Sequence, residues 1–378
     1  MPDNPLYGKA GNLTRCHQML RYFQDHQDIF DVHFLSSLYW KEEDIKQFDI
    51  HYPSIRLIVE PVKSSKKNRI KYFFVDKMPN LLYRFFNGIV VSMVSPHFKK
   101  RIDKLYQANQ YDIVIISYVG YGELVDHAGA AYKIVDTHDF YTLQHLQKQG
   151  AEAGIGRMFQ QEMDILKKFD EIWTYSIEEE YVFGQFTNKE VRLIPISFKQ
   201  TILPEERLFS YDVVYVASNN PHNIKSINWF VKEVLPLLPD LKVHVIGRIC
   251  EHIADHPQLQ KLGLVEDIHD IYSKSKLTIC PMLSGTGIKI KVLESLSYGI
   301  PVVTSRRGVD GLINKIDNGC LVANDAKAFA DYIKRLLEDD RFYKDISQQA
   351  VRYFSLYHKP EMERSVLDRA LLTKESTL

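Results

Sequence analysis

The densest chemistry-bearing stretch of the sequence is Ser284-Gly285-Thr286-Gly287-Ile288-Lys289-Ile290-Lys291, followed by Glu294. The apolar run Leu277–Cys280 before it reads as a buried strand, and Ile288–Ser297 reads as a helix that opens at Gly285-Thr286-Gly287. A loop between such a strand and a helix turns backbone N–H groups and the positive end of the helix dipole toward one spot, which suits a phosphate. Lys289 and Lys291 add positive charge, and Glu294, one turn beyond Lys291, offers a carboxylate to ribose hydroxyls. A glycine-containing turn with solvated lysines is the alternative reading.

Other candidates are spread along the chain. His138, in Asp136-Thr137-His138-Asp139, follows the predicted strand Tyr132–Asp136, at the strand end where open α/β sheets place ligands; a structural hydrogen-bonding histidine is the alternative. Gly11 and Asn12 open a predicted helix whose N-terminal amides suit a phosphate or an acceptor, or form an ordinary cap. Lys225, two residues after Asn223, either reaches a diphosphate or is a solvated helix lysine. No Asp-x-Asp triplet occurs and no His, Cys and carboxylate spacing suits a metal, so no metal is expected. Cys16, Cys250, Cys280 and Cys320 form no CxxC pair, which points to reduced thiols.

The elements that must position these residues are those of an α/β protein. Apolar, β-branched runs alternate with amphipathic stretches: strands are predicted at Asp31–Leu38, Ile55–Val62, Tyr111–Ser117, Tyr132–Asp136, Glu171–Tyr175 and Val191–Ile196, with helices at Asn12–Gln24, Asn80–Tyr106 and Gly156–Phe169. After Pro195 and the polar segment Lys199–Ser210 the pattern restarts, with strands Asp212–Ala217, Leu241–Ile246, Leu277–Cys280, Pro301–Thr304 and Cys320–Val322. Helices are expected at Ile224–Leu235, Ile288–Ser297 and Ala326–Leu337, then across Arg341–Leu372 with a break at Lys359-Pro360. A chain of 378 residues exceeds one comfortable core, so two parallel-sheet domains are expected. The Gly8–Gly11 turn arrives without a strand before it; either a strand precedes the sequence as given, or the first sheet is short by one strand.

Composition bounds the partners. Lys plus Arg and Asp plus Glu both number 48, so no net field collects nucleic acid, and nucleic acid is not an expected partner. No apolar run approaches the ~20 residues of a membrane span, and Met1-Pro2-Asp3-Asn4 lacks a signal-peptide layout, which makes the cytoplasm the expected compartment. Lys63–Lys71, basic and followed by Tyr72–Val75 and Leu81–Phe86, is a candidate contact for an anionic membrane surface on which the protein would sit peripherally; a solvated loop over a core helix is the alternative.

Pro281, Gly285, Gly287, Lys289, Lys291, Glu294, Gly299, Pro301, Val302 and Val303 together resemble the signature of the group-1 glycosyltransferases, glycosyltransferase family 4. The resemblance continues through Gly308, Gly311 and Gly319–Asn324, and backwards through Val265-Glu266-Asp267, Ile246-Gly247, Pro221-His222-Asn223 and Val214–Ala217. In the first half it rests on Gly11-Asn12 with Arg15, Val135–Asp139, Tyr175-Ser176 and Ile194-Pro195.

It implies the GT-B fold, two Rossmann-like domains facing a central cleft: residues 1–198 for the acceptor, 199–355 for the nucleotide sugar, and 356–378 as a helix returning to the first domain. It also implies transfer, with retention and without a cofactor or metal, from a nucleoside-diphosphate sugar to a glycan or lipid-linked acceptor in cell-surface polysaccharide or glycoconjugate synthesis. His138 then corresponds to the cleft histidine that contacts the donor sugar and joins Lys291 and Glu294 as the catalytic set. Gly11, Asn12, Asn223, Lys225, Gly247, Val265, Ser284, Gly285, Thr286, Gly287, Ile288 and Lys289 form the nucleotide-binding set. Many relatives carry a further glutamate eight positions before Glu294; here that place is Thr286, so the motif speaks to the nucleoside diphosphate rather than to the sugar. A nucleotide-sugar epimerase of the same architecture and a non-catalytic sugar-nucleotide-binding protein are the rivals. An NAD-dependent oxidoreductase would need a strand directly before a GxGxxG loop, and Gly8-Lys9-Ala10-Gly11 has neither the strand nor the spacing.

Overall fold

The structure is a computed structural model and describes residues 4–6, 11–62, 72–79, 81–82, 91–149, 154–204 and 207–372. Lys63–Lys71 and Gly8 therefore lie outside the described residues. The chain divides into two compact units: Met1–Thr174 with Glu179–Leu193, and Tyr175–Glu178 with Ile194–Leu378.

In the first unit β1 (Val32–Ser36) and β2 (Ile55–Val59) pair in parallel from Val32 against Ile55 to Ser36 against Val59. A second parallel sheet runs in the order β3 (Ile113–Ser117), β4 (Tyr132–Asp136), β5 (Glu171–Thr174), β6 (Glu190–Leu193). Among the described residues no strand joins the two sheets, and none precedes the helix Gly11–Asp25. The inner strands carry Ile134, Val135, Ile172 and Trp173 with no exposure, which matches their unbroken apolar sequence.

The second unit has one six-stranded parallel sheet. Its strands are β7 (Tyr211–Val216), β8 (Val243–Ile246), β9 (Leu259–Gly263), β10 (Ser275–Cys280), β11 (Val302–Ser305) and β12 (Cys320–Ala323), in the order β12-β11-β10-β7-β8-β9. Val213, Tyr215, Val243, Val245, Leu277, Ile279 and Val303 meet Phe230 and Phe329 from flanking helices in one core. Between β7 and β10 the strand order reverses. Ligands in open α/β sheets bind outside the carboxyl ends of the strands at such a switch point.

Several boundaries differ from expectation for local reasons. Of the helix expected over 80–106, the described residues show helix at 81–82, no regular structure at 91–95, and the helix Pro96–Ala108. Ser95 caps it by accepting from the Phe98 amide at 3.2 Å, and Pro96 fills its first position. The helix expected over 224–235 begins at Pro221, capped by Asn220, and passes at Phe230 into a wider turn. β9 was not expected: Leu259–Gly263 is a sheet-edge strand with a partly exposed face and little β-branched character. The break at Lys359-Pro360 lies between the helices Asp340–Tyr357 and Pro360–Leu371, and Asp325 caps Ala326–Glu338 by accepting from the Ala328 amide at 2.8 Å.

Candidate functional site

The loop 281–289 leaves the carboxyl end of β10, one of the two strands that flank the switch point. The helix that follows starts at Ile290, with Lys289 as its cap residue, and not at Gly285-Thr286-Gly287 as expected. The reason is backbone conformation: Gly285 and Gly287 have φ of +100° and +71°, outside the helical region and open to glycine without strain.

Lys289 organises this loop from within. Its Nζ donates to the carbonyl oxygens of Gly287 at 2.6 Å, Thr286 at 3.3 Å and Gly285 at 3.4 Å, and the residue is buried. In a trans peptide the C=O and N–H point in opposite directions. With three successive carbonyls gathered on Nζ, the amides of Thr286, Gly287 and Ile288 are turned away from it. Burial holds the Lys289 ammonium below its usual pKa.

Lys291 points elsewhere. It is half-buried, its Nζ donates to Asn223 Oδ1 at 2.7 Å, and it lies 4.8 Å from the centroid of the Tyr215 ring. Burial lowers its pKa too. Asn223 is held in turn: its Nδ2 donates to the Ser218 carbonyl at 2.9 Å and its amide to Asn220 Oδ1 at 2.9 Å. The two lysines thus have different partners, one shaping the loop and one tying the helix Ile290–Ser297 to the helix Pro221–Trp229. Ser284 Oγ lies 2.8 Å from His222 Nδ1, and the Leu283 amide donates to Ser226 Oγ, which join the same elements again.

Glu294, one turn along the helix from Lys291, accepts from the Tyr272 hydroxyl at 3.1 Å. Gly247 follows β8 at φ +104°, and a Cβ there would lie 2.2 Å from the Ala217 carbonyl oxygen, so only glycine lets the two loops meet. Val265 packs on Val214, Ile246 and Ile271; Ile288 lies against Gly311; Lys225 is exposed on its helix.

In the first unit, β3 and β4 end together, Ser117 opposite Asp136. Buried Asp136 lies 3.3 Å from His138 Nε2 and 3.9 Å from Arg15 Nε. His138 and Tyr118 both have left-handed backbones, φ +59° and +69°, and their rings stack at 4.3 Å. Asn12 lies in the first turn of the helix that carries Arg15, and Gly11 is its first residue. Just downstream, buried Glu162 accepts from the Tyr141 and Thr142 amides, each at 2.8 Å, and fixes the start of the helix Tyr141–Gln149. Among the described residues no group of three His, Cys, Asp or Glu side chains is placed to hold a metal, and no helix is long and apolar enough to cross a membrane.

The family model for group 1 glycosyl transferases matches residues 210–339, the sheet and loops that carry Asn223, Lys289, Lys291 and Glu294. Residues 210–339 are a group 1 glycosyltransferase domain. A Klebsiella pneumoniae protein described as an uncharacterized 44.6 kDa protein in the cps region is 25% identical over 151 residues, 35% of this chain and 38% of that protein. The chain's matches span well under half the length of the first curated relatives. Sucrose-phosphate synthase from Thermosynechococcus elongatus is similar in structure, with a TM-score of 0.70 at 12% identity over 99% of this chain and 97% of that one. Anabaena HepE, in complex with UDP and glucose, gives a TM-score of 0.65 at 12% identity over 97% of each chain. The chain has the GT-B fold.

Within the glycosyltransferase domain, sequence reasoning singled out Asn223, Lys289, Lys291 and Glu294 but missed Tyr215 and Tyr272, which touch two of them. Tyr215 reads only as a strand aromatic, and Tyr272 stands 22 residues before Glu294 in sequence. No local signal pairs them.

Proposed function

We propose that this chain is a retaining glycosyltransferase that moves a sugar from a nucleoside-diphosphate donor to a glycan or lipid-linked acceptor in polysaccharide or glycoconjugate synthesis. The observation that carries the reading is the loop 285–287 wrapped on Lys289 at the sheet's switch point, with Glu294 on the helix that follows. That pairing suits a diphosphate beside a ribose. The group 1 domain match and the complexes of Anabaena HepE with UDP support it.

In the proposed reaction the bond between the anomeric carbon and the diphosphate oxygen breaks, and negative charge builds on that oxygen. The amides of Thr286, Gly287 and Ile288 and the helix dipole stabilise the charge, and the two lysines add a positive field without a metal ion. The departing phosphate takes the proton of the acceptor hydroxyl, whose oxygen bonds to the anomeric carbon on the same face. No carboxylate base is assigned. His138, beside Asp136, contacts the donor sugar, and residues 1–198 hold the acceptor. Gly11, Asn12, Asn223, Lys225, Gly247, Val265, Ser284 and Ile288 complete the nucleotide-binding set.

The test is binding followed by turnover. One of UDP, GDP and ADP should raise the melting temperature, because a ligand that binds only the folded state stabilises it by mass action. Its sugar conjugate should then support transfer in EDTA. Failure of all three nucleotides to bind overturns the nucleotide reading, and activity that needs Mg²⁺ or Mn²⁺ overturns metal independence. For Lys63–Lys71 we propose a contact with anionic membrane from the cytoplasmic side. Sedimentation with phosphatidylserine vesicles should fall when Lys66, Lys67 and Arg69 are neutralised, and unchanged sedimentation removes this proposal.

A further inference from the structure

A carboxylate that reads a ribose must be held at one angle, because a freely rotating glutamate gives up much of each hydrogen bond in lost side-chain freedom. Glu294 lies on the helix Ile290–Ser297, and its Oε2 accepts from a phenol on a different element, Tyr272 of the helix Ile268–Ser273. We propose that Tyr272 is the positioning residue for Glu294, and that the pair makes this chain selective for nucleotides with an intact ribose diol. The inference rests on the assignment of Glu294 to the ribose.

Three observations carry it. Tyr272 is 1% exposed, so its hydroxyl has little water to turn to; it donates to Glu294 and also hydrogen-bonds with the neighbouring Ser295, both on the same helix. Burial, reinforced by the neighbouring Glu294 charge, raises the phenol's pKa well above the usual tyrosine range, so across ordinary pH it stays protonated and acts as a donor. The ring itself is clamped. It stacks on Tyr298 at 5.2 Å with the planes 27° apart, and the Tyr298 hydroxyl lies 3.1 Å from His269 Nδ1, on the same short helix as Tyr272.

Tyr298 directly follows the helix that carries Glu294, so the two helices are locked to each other by the ring stack and by the phenol–carboxylate bond together. A carboxylate has about four acceptor positions. The phenol takes one on Oε2, and that bond orients the group for the hydroxyls of a vicinal diol. A diol bound this way adds charge-assisted hydrogen bonds to the carboxylate, and a nucleotide without the diol forgoes them.

The experiment compares each nucleotide that binds, UDP first and then GDP and ADP, with its 2′,3′-dideoxy form, by calorimetric titration of the full chain. Wild type should prefer the ribonucleotide. Tyr272→Phe keeps the ring and its stacking and removes only the hydroxyl; it should weaken the ribonucleotide roughly five- to tenfold and leave the dideoxy form unchanged, so that the preference narrows. A merely structural role for Tyr272 would weaken both nucleotides alike, and that result overturns the proposal. Glu294→Ala should abolish the preference, and adding Tyr272→Phe to it should cost nothing more. If Glu294→Ala abolishes the preference while Tyr272→Phe leaves it at the wild-type value, the positioning role fails and the ribose assignment stands. If Glu294→Ala retains the preference, the ribose assignment itself fails.

Discussion

The two units share one strand-and-helix pattern, yet they secure the polar ends of their sheets differently. In the second unit, side chains hold one another across elements: Lys291 on Asn223, Glu294 on Tyr272, and Lys289 on the carbonyls of its own loop. In the first, the group around Asp136 hangs on two residues with left-handed backbones, Tyr118 and His138, whose rings stack. A left-handed backbone costs a side-chain-bearing residue roughly 1–2 kcal/mol, whereas glycine adopts it freely. Around its candidate site the second unit uses glycine for that conformation, at Gly247, Gly285 and Gly287, and leaves the chemistry to neighbours in ordinary conformations; Asp317, at φ +51°, lies elsewhere in the unit. Rigid partners and strained backbone are two ways to reach the same end, a side chain with one orientation.

The sharpest way to break this contrast is at the glycines. Gly247→Ala in the second unit drives a Cβ to 2.2 Å from the Ala217 carbonyl oxygen at a φ of +104°. It should destabilise that unit by about 3 kcal/mol or more. Gly129→Ala in the first unit has φ +66° and nothing within 4 Å of the added atom, so it should cost only about 1 kcal/mol. Urea unfolding of the two variants checks the difference; equal losses would show that the second unit's loops yield as readily as an open turn.

Acid should act with opposite sign on one buried group from each unit. His358 of the second unit donates from Nδ1 to the Ile196 carbonyl at 2.8 Å, and burial pushes its pKa down to about 4. The unfolded chain takes up that proton near 6.5 and the folded chain only near 4, so stability is complete above pH 6.5 and falls as pH drops through this window, by on the order of 3 kcal/mol. Glu162 of the first unit behaves in the opposite sense. Burial raises its pKa above the unfolded value of 4.5, so its protonation favours the folded state as pH falls. His17 of the first unit, also lowered by burial, acts in the His358 sense, so the contrast is read one substitution at a time. His358→Gln should flatten the loss of stability between pH 6.5 and 4, and Glu162→Gln should steepen it by a smaller amount. Denaturant midpoints across that range test both; matching slopes in the two variants would remove the assignment.

Much of the second unit was legible before any coordinates. Its strands fall at or within a residue or two of the expected runs, save the edge strand Leu259–Gly263, where partial exposure dilutes the apolar signal. The first unit was less so. Its helix over 96–108 was expected to start near 80, because a long amphipathic pattern outweighed the Ser95-Pro96 start signal. Among site residues, the loop 285–287 and Glu294 stand out by type and spacing alone, while the contacts of Lys291 with Asn223 and Tyr215 do not.

What the sequence by itself determined is the local part: alternating buried strands and amphipathic helices, the two-unit length and the break at Pro360. These depend on interactions between residues a few positions apart, which any stretch of chain carries with it. Only the tertiary structure decided which lysine faces the loop and which faces the core, that Tyr272 reaches Glu294, that Tyr118 stacks on His138, and that the described strands of the first unit form two separate sheets. Those outcomes follow from the phase at which each helix settles on its sheet, and that phase is set by packing between segments distant in sequence.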